Sequence, residues 1–114
     1  MSIAGLTVLI VEDEPIIGLV LEDLVLDAGA RPLLASTVAH ALKALEENTV
    51  DAAVLDVNVH GEKSYPVAQA LMAQGTRFVF ASGYGDALHP EEFKAVPTIT
   101  KPYAMKEIVE GLSR

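Results

Sequence analysis

The chain has 114 residues, no cysteine, and sixteen acidic against eight basic residues, for a net charge of −8. That length predicts a single domain over 1–114, large enough to bury a real core and with no room for an appended DNA-binding or catalytic unit. The charge repels phosphate backbones and anionic lipid, so neither nucleic acid nor membrane is the expected partner, and the lack of cysteine removes disulfides and thiolate metal sites.

The first apolar run, at 7–11, is far too short to cross a bilayer and has no basic leader before it, which predicts a cytoplasmic protein. It runs straight into three acids, Glu12, Asp13 and Glu14, in the stretch VLIVEDEP. Pro15 suits the first turn of a helix that Gly29 closes, and Ile17, Val20, Leu21 and Leu24, at i, i+3, i+4 and i+7, predict its buried stripe. The second run, RPLLA at 31–35, contains Pro32; a residue without an N–H is tolerated at a sheet edge but not at its centre. Ser36 or Thr37 can cap the next helix, whose stripe is Val38, Ala41, Leu42 and Leu45. A third run at 52–57 precedes a helix that opens near Ser64 to Pro66 and reaches Gln74. Runs at 78–82 and 98–100 flank a stretch broken by glycine and proline, with space for a short helix at 91–95. Met105, Ile108, Val109 and Leu112 mark the last helical stripe.

Five strands alternating with helices predict an α/β domain: a doubly wound, five-stranded parallel sheet with both faces covered. An edge position for the second strand favours the order 2-1-3-4-5. In such a sheet the ligand crevice lies beyond the carboxyl ends of the strands. Four of those ends carry reactive groups: Glu12 and Asp13, then Asp56, Ser82 and Lys101. Strands one and three are neighbours in this order, about 4.8 Å apart, so Asp13 and Asp56 can converge. Two carboxylates roughly 5 Å apart repel by about 3 kcal/mol at an effective dielectric near 20, and a small hard cation such as Mg²⁺ would offset this. His40 lies on a solvent-facing helix position, while His60 and His89 are isolated in loops; all three read as ordinary surface histidines.

The chain resembles, over essentially its whole length, the receiver domains of two-component response regulators. VEDEP supplies the acidic pair, VLDVN the phosphoacceptor candidate Asp56, FASG the hydroxyl of Ser82, and TKPY the lysine Lys101 with Pro102 after it. FASGYG is also similar to the Phe-Ala-Thr-Gly-x-Tyr signature of a stand-alone subgroup, with Ser82 in place of the threonine. The resemblance implies the flavodoxin-like receiver fold and a phosphoryl group passed from a sensor histidine kinase or phosphotransfer protein to Asp56. It implies Mg²⁺ bound by Asp13, Asp56 and the backbone carbonyl of Asn58, with Glu12 acting through water. Ser82 and Lys101 would hold phosphoryl oxygens, a downstream protein would read the phosphorylated state, and Lys101–Pro102 would be a cis bond.

Two positions depart from the family pattern. Thr98 stands three residues before Lys101, where many receivers carry an aromatic switch, and Tyr84, between two glycines, is the substitute candidate. The segment VNVHGEKSYP lacks the usual Met-Pro-Gly, which leaves the shape of the partner-facing loop open. Three alternatives stand beside the switch. A haloacid-dehalogenase-type hydrolase would want an aspartate where Asn58 lies. A flavodoxin-like nucleotide binder would find VEDEP repulsive to its phosphates. A docking module that is never phosphorylated would not need the five polar positions.

Overall fold

Short runs of Val, Leu, Ile and Ala with turn residues at both ends form strands buried on both faces, and the segments between them have the longer period of helices. The computed structural model describes residues 3–82, 90–100 and 105–112. In chain order its elements are β1 (Thr7–Val11), α1 (Pro15–Asp27), β2 (Arg31–Ala35), α2 (Val38–Glu47), β3 (Ala52–Asp56), β4 (Asn58–Val59), β5 (Glu62–Lys63), α3 (Tyr65–Gln74), β6 (Arg77–Ser82), a 3-10 turn (Glu91–Phe93), β7 (Thr98–Thr100) and α4 (Met105–Leu112). The main sheet has the order β2-β1-β3-β6-β7 and every pair in it is parallel. This is the predicted order, once the small antiparallel hairpin β4–β5 is set aside.

Alternation along the strands builds two cores. Leu9, Val11, Ala53, Leu55, Phe78 and Phe80 pack under α2 and α3, against Val38, Ala41, Leu45, Val67, Ala68 and Leu71. Val8, Ile10, Ala52, Val54, Val79 and Ala81 pack under α1 and α4, against Leu21, Val25, Ile108 and Leu112. Each fully buried Val, Leu, Ile or Phe contributes roughly 1.5–3 kcal/mol. Phe93 is fully buried, stacked on Tyr65 at 5.5 Å and set edge-on to Phe80 at 5.7 Å, so the 3-10 turn is fastened to the sheet by aromatic packing. Burial pushes the Tyr65 phenol above its ordinary pKa.

Local signals mostly act as the sequence predicts. Pro32 lies on edge strand β2, Thr37 caps α2 by accepting the His40 N–H at 3.0 Å, and Gly29, at φ 84°, turns the chain just after α1. The stripe on α1 differs. Val20 is 50% exposed, whereas Gly18, Leu21 and Val25 face the core. The helix is apolar on most sides, so its spacing fits more than one face. Leu34 settles which face is buried: it packs so near Gly18 that an added Cβ would lie 3.3 Å from it.

Two stability predictions follow from close packing. A Cβ on Gly111, in α4, would lie 2.7 Å from Val79 Cγ1, so Gly111→Ala overpacks the joint between α4 and β6 by about 1–3 kcal/mol and outweighs a helix-propensity gain of about 1 kcal/mol. The urea midpoint falls; an unchanged or higher midpoint contradicts the close approach. Ser64 is fully buried and its hydroxyl has no hydrogen-bond partner among the described residues. Ser64→Ala removes that unmet donor and raises the midpoint by the equivalent of about 1 kcal/mol, whereas a drop would reveal a partner for the hydroxyl.

Candidate functional site

Parallel register delivers the acids to one place. Val8 pairs with Ala52 and Val11 with Leu55, so one step past the ladder Glu12 stands across from Asp56. Both follow the same alternation, Glu12 after Val8 and Ile10, Asp56 after Ala52 and Val54, and both leave the sheet toward the same face. The Glu12 N–H still donates to Ala35 O at 3.0 Å, and the Val57 N–H to Ala81 O at 3.1 Å, so backbone pairing holds both strand ends past their last ladder residue. Asp13 follows in the bend that leads to α1.

The result is a cluster in which Glu12, Asp13 and Asp56 each bring a carboxylate oxygen to within 4.8 Å of the others. Glu12 is 2% exposed, Asp56 is 8% exposed and Asp13 is half-buried. At such a distance each like-charged pair costs roughly 3 kcal/mol at an effective dielectric near 20. Amide donors offset part of this: the Glu14 N–H reaches Glu12 Oε1 at 3.3 Å, and the His60 N–H reaches Asp13 Oδ2 at 2.9 Å. The cluster also adjoins the N-terminus of α1, where negative charge is favoured. Three converging hard oxygen donors with no nitrogen or sulfur among them match the preference of Mg²⁺, and this set fits the cation.

Ser82, the last residue of β6, is buried one position beyond Ala81, which pairs with Asp56. Asn58 opens β4 and is exposed, two residues from Asp56. Thr98 pairs with Phe80 and is half-buried, so no aromatic ring stands there. Lys101, Pro102, Tyr84 and His89, with the expected cis bond, lie outside the described residues. His40 is exposed on α2, as expected. His60 is exposed in a turn, as expected, and its backbone amide bonds Asp13 across 47 positions of sequence. A separate groove of about 260 Å³ between β2 and α2, lined by Leu33, Leu34, His40, Lys43 and Glu47 among others, brings no carboxylate cluster together.

The chain belongs to the response regulator receiver family: the profile of the response regulator receiver domain matches residues 8–113. The solution structure of SdrG from Sphingomonas melonis Fr1 is similar at 44% identity, covering 99% of this chain and 97% of that one with a TM-score of 0.80. A BeF3-activated conformation of SdrG from Pseudomonas melonis Fr1 is similar at 42% identity, over 96% of this chain and 95% of that one, with a TM-score of 0.76. The receiver domain of PhyR from Erythrobacter litoralis is 25% identical over 97% of this chain and 89% of that one, with a TM-score of 0.76. No curated protein matches. Among the described residues no helix is long and apolar enough to cross a membrane.

Crowded charge at the site has a measurable signature. In metal-free buffer, Asp13→Asn relieves repulsion and raises unfolding stability by about 1–3 kcal/mol. Mg²⁺ in hundredfold excess over its dissociation constant stabilises the wild type by about 2.7 kcal/mol, and Asp13→Asn loses most of that gain. Equal Mg²⁺ stabilisation in both, followed by chemical denaturation, would mean that Asp13 holds no cation.

Proposed function

We propose that this chain is a cytoplasmic phosphorylation switch that accepts a phosphoryl group on Asp56 and passes the signal to a downstream protein. The observation that carries this reading is the convergence of Glu12, Asp13 and Asp56 within 4.8 Å at the strand ends. Family membership and the near-complete, two-way coverage shared with SdrG support it. The BeF3-activated conformation reported for SdrG supports activation by a phosphoryl-like group in a close relative.

Asp56 attacks the phosphorus of a phosphohistidine on a sensor kinase or phosphotransfer protein; the P–N bond breaks, a P–O bond forms and the histidine leaves. Phosphoryl transfer is loose and charge gathers on the equatorial oxygens, so the work of the site is positioning and neutralisation. Asp13, Asp56 and the carbonyl of Asn58 would hold Mg²⁺, with Glu12 reaching it through water. Once bound, the cation supplies positive charge to a phosphoryl oxygen. Ser82 would donate its hydroxyl to a second oxygen, and Lys101 would pair with a third. Water then hydrolyses the acyl phosphate and resets the switch. Phosphorylation exchanges the single negative charge of the carboxylate for the roughly two of an acyl phosphate, with three strong acceptor oxygens. The pull on Ser82 and Lys101 is the force that shifts the conformational population, with Tyr84 taking the part of the aromatic that Thr98 cannot play.

The donor protein has a surface to meet beside the acids. Ile16, Leu19 and Val20 are 76%, 59% and 50% exposed in the first turns of α1, directly after Asp13. Helix α1 carries no basic residue, so an apolar surface with basic neighbours complements it. The hydrolase alternative is not favoured: the family match is to a receiver, and Asn58 occupies the place of the second aspartate.

Incubation with acetyl phosphate and Mg²⁺, read by intact mass, tests the reading. The wild type gains a single phosphoryl adduct that chelation of the metal prevents and Asp56→Asn abolishes. Steady release of phosphate from unrelated phosphoesters would indicate a hydrolase. Absence of any adduct would indicate a docking module.

A further inference from the structure

Of hairpin β4–β5 only the Asn58 carbonyl enters the chemistry above, yet the tip of the hairpin also reaches the acids. Asn58 pairs with Lys63 and Val59 with Glu62, leaving His60 and Gly61 as a two-residue turn. Both have positive φ, 50° and 80°, the combination that the tightest hairpin turns require. Glycine takes up that conformation freely. Histidine does so at a cost, although it is found there more often than most residues. It is this left-handed residue whose N–H points at Asp13 Oδ2, 2.9 Å away.

The hairpin is anchored below its tip. Val59 is 1% exposed and belongs to the core under α3, while the Ser64 N–H donates to Val57 O at 2.9 Å and closes the base of the loop. The tip amide is therefore held from the core side, and the turn aims it at the carboxylate. A carboxylate has about four lone-pair sites, so accepting one N–H leaves Asp13 capacity for a cation. Fixing the orientation in advance spares the ordering cost at the moment of binding.

We infer that the β4–β5 hairpin is a positioning device for Asp13: the backbone N–H of His60 orients the carboxylate for the divalent cation, and the imidazole takes no part. This rests on the reading of Glu12, Asp13 and Asp56 as the cation site. His60 is thus a positioning residue that acts through its main chain. Hydrogen bonds to metal-binding carboxylates typically change metal affinity by about 10–100-fold when lost.

Stepwise addition of Mg²⁺ to the intact 15N-labelled chain, followed by amide NMR spectra, tests the inference. In the wild type the His60 amide is slow to exchange and shifts as Mg²⁺ saturates; in Asp13→Asn that shift is lost. His60→Asn, which tolerates positive φ and keeps the N–H, binds Mg²⁺ within about twofold of wild type. His60→Val, β-branched and strained there, binds at least about tenfold more weakly, with the core signals of Phe80 and Ile108 unmoved. Wild-type affinity in His60→Val despite a fast-exchanging residue-60 amide overturns the inference, as does an equal loss in His60→Asn, which would assign the effect to the imidazole. A wild type that never saturates with Mg²⁺ removes the cation site itself, and the positioning role with it.

Discussion

Electrostatic repulsion among three carboxylates that the backbone will not let separate is the constraint around which this molecule is arranged. Backbone pairing of β1 with β3 sets Glu12 across from Asp56, and the next residue brings Asp13 to the same point. A pair of like charges at this spacing costs about 3 kcal/mol, a large share of the 5–15 kcal/mol that keeps a domain folded. The fold tolerates the cost because it is spent in one place. It leaves a pocket of negative charge whose relief by a bound cation would be available as free energy to the proposed switch.

Rigid surroundings make that energy usable. β3 is buried along its whole length between two cores, and α1, which starts directly after the acids, is seated by Leu21 and Val25. Amides fixed by the backbone meet the acids from two directions, Glu14 from the start of α1 and His60 from the hairpin. A carboxylate held this way loses little further freedom when it binds a cation. The exposed apolar side of α1 lies next to the same acids, so the proposed chemistry and the surface proposed for a donor protein share one support.

Much of this could be read from residue order. Strands at 7–11, 31–35 and 98–100 have the expected ends because turn residues bound each apolar run. Pro32 alone argued for an edge strand, and from that edge the meeting of Asp13 with Asp56 follows. Other features were hidden for physical reasons. Arg77 extends β6 by one residue, since a charged side chain is harmless at an exposed strand start. Val20 was assigned to the core because α1 is apolar on nearly every side, and only the approach of Leu34 to Gly18 selects the buried face. The hairpin was missed because His-Gly is a weak turn signal and its strands are two residues long. Its contact with Asp13 is a backbone one, which no side-chain pattern encodes.

The most direct measurement of the central claim is paramagnetic. Mn²⁺ shares the preference of Mg²⁺ for oxygen donors and broadens NMR signals close to it. Traces of Mn²⁺ added to the 15N-labelled chain should erase the amides of residues 12, 13 and 56–60 first, and leave those lining the groove between β2 and α2 sharp. Broadening that begins at that groove, or that spreads evenly over the acidic surface, would show that the three carboxylates do not act as one cation site.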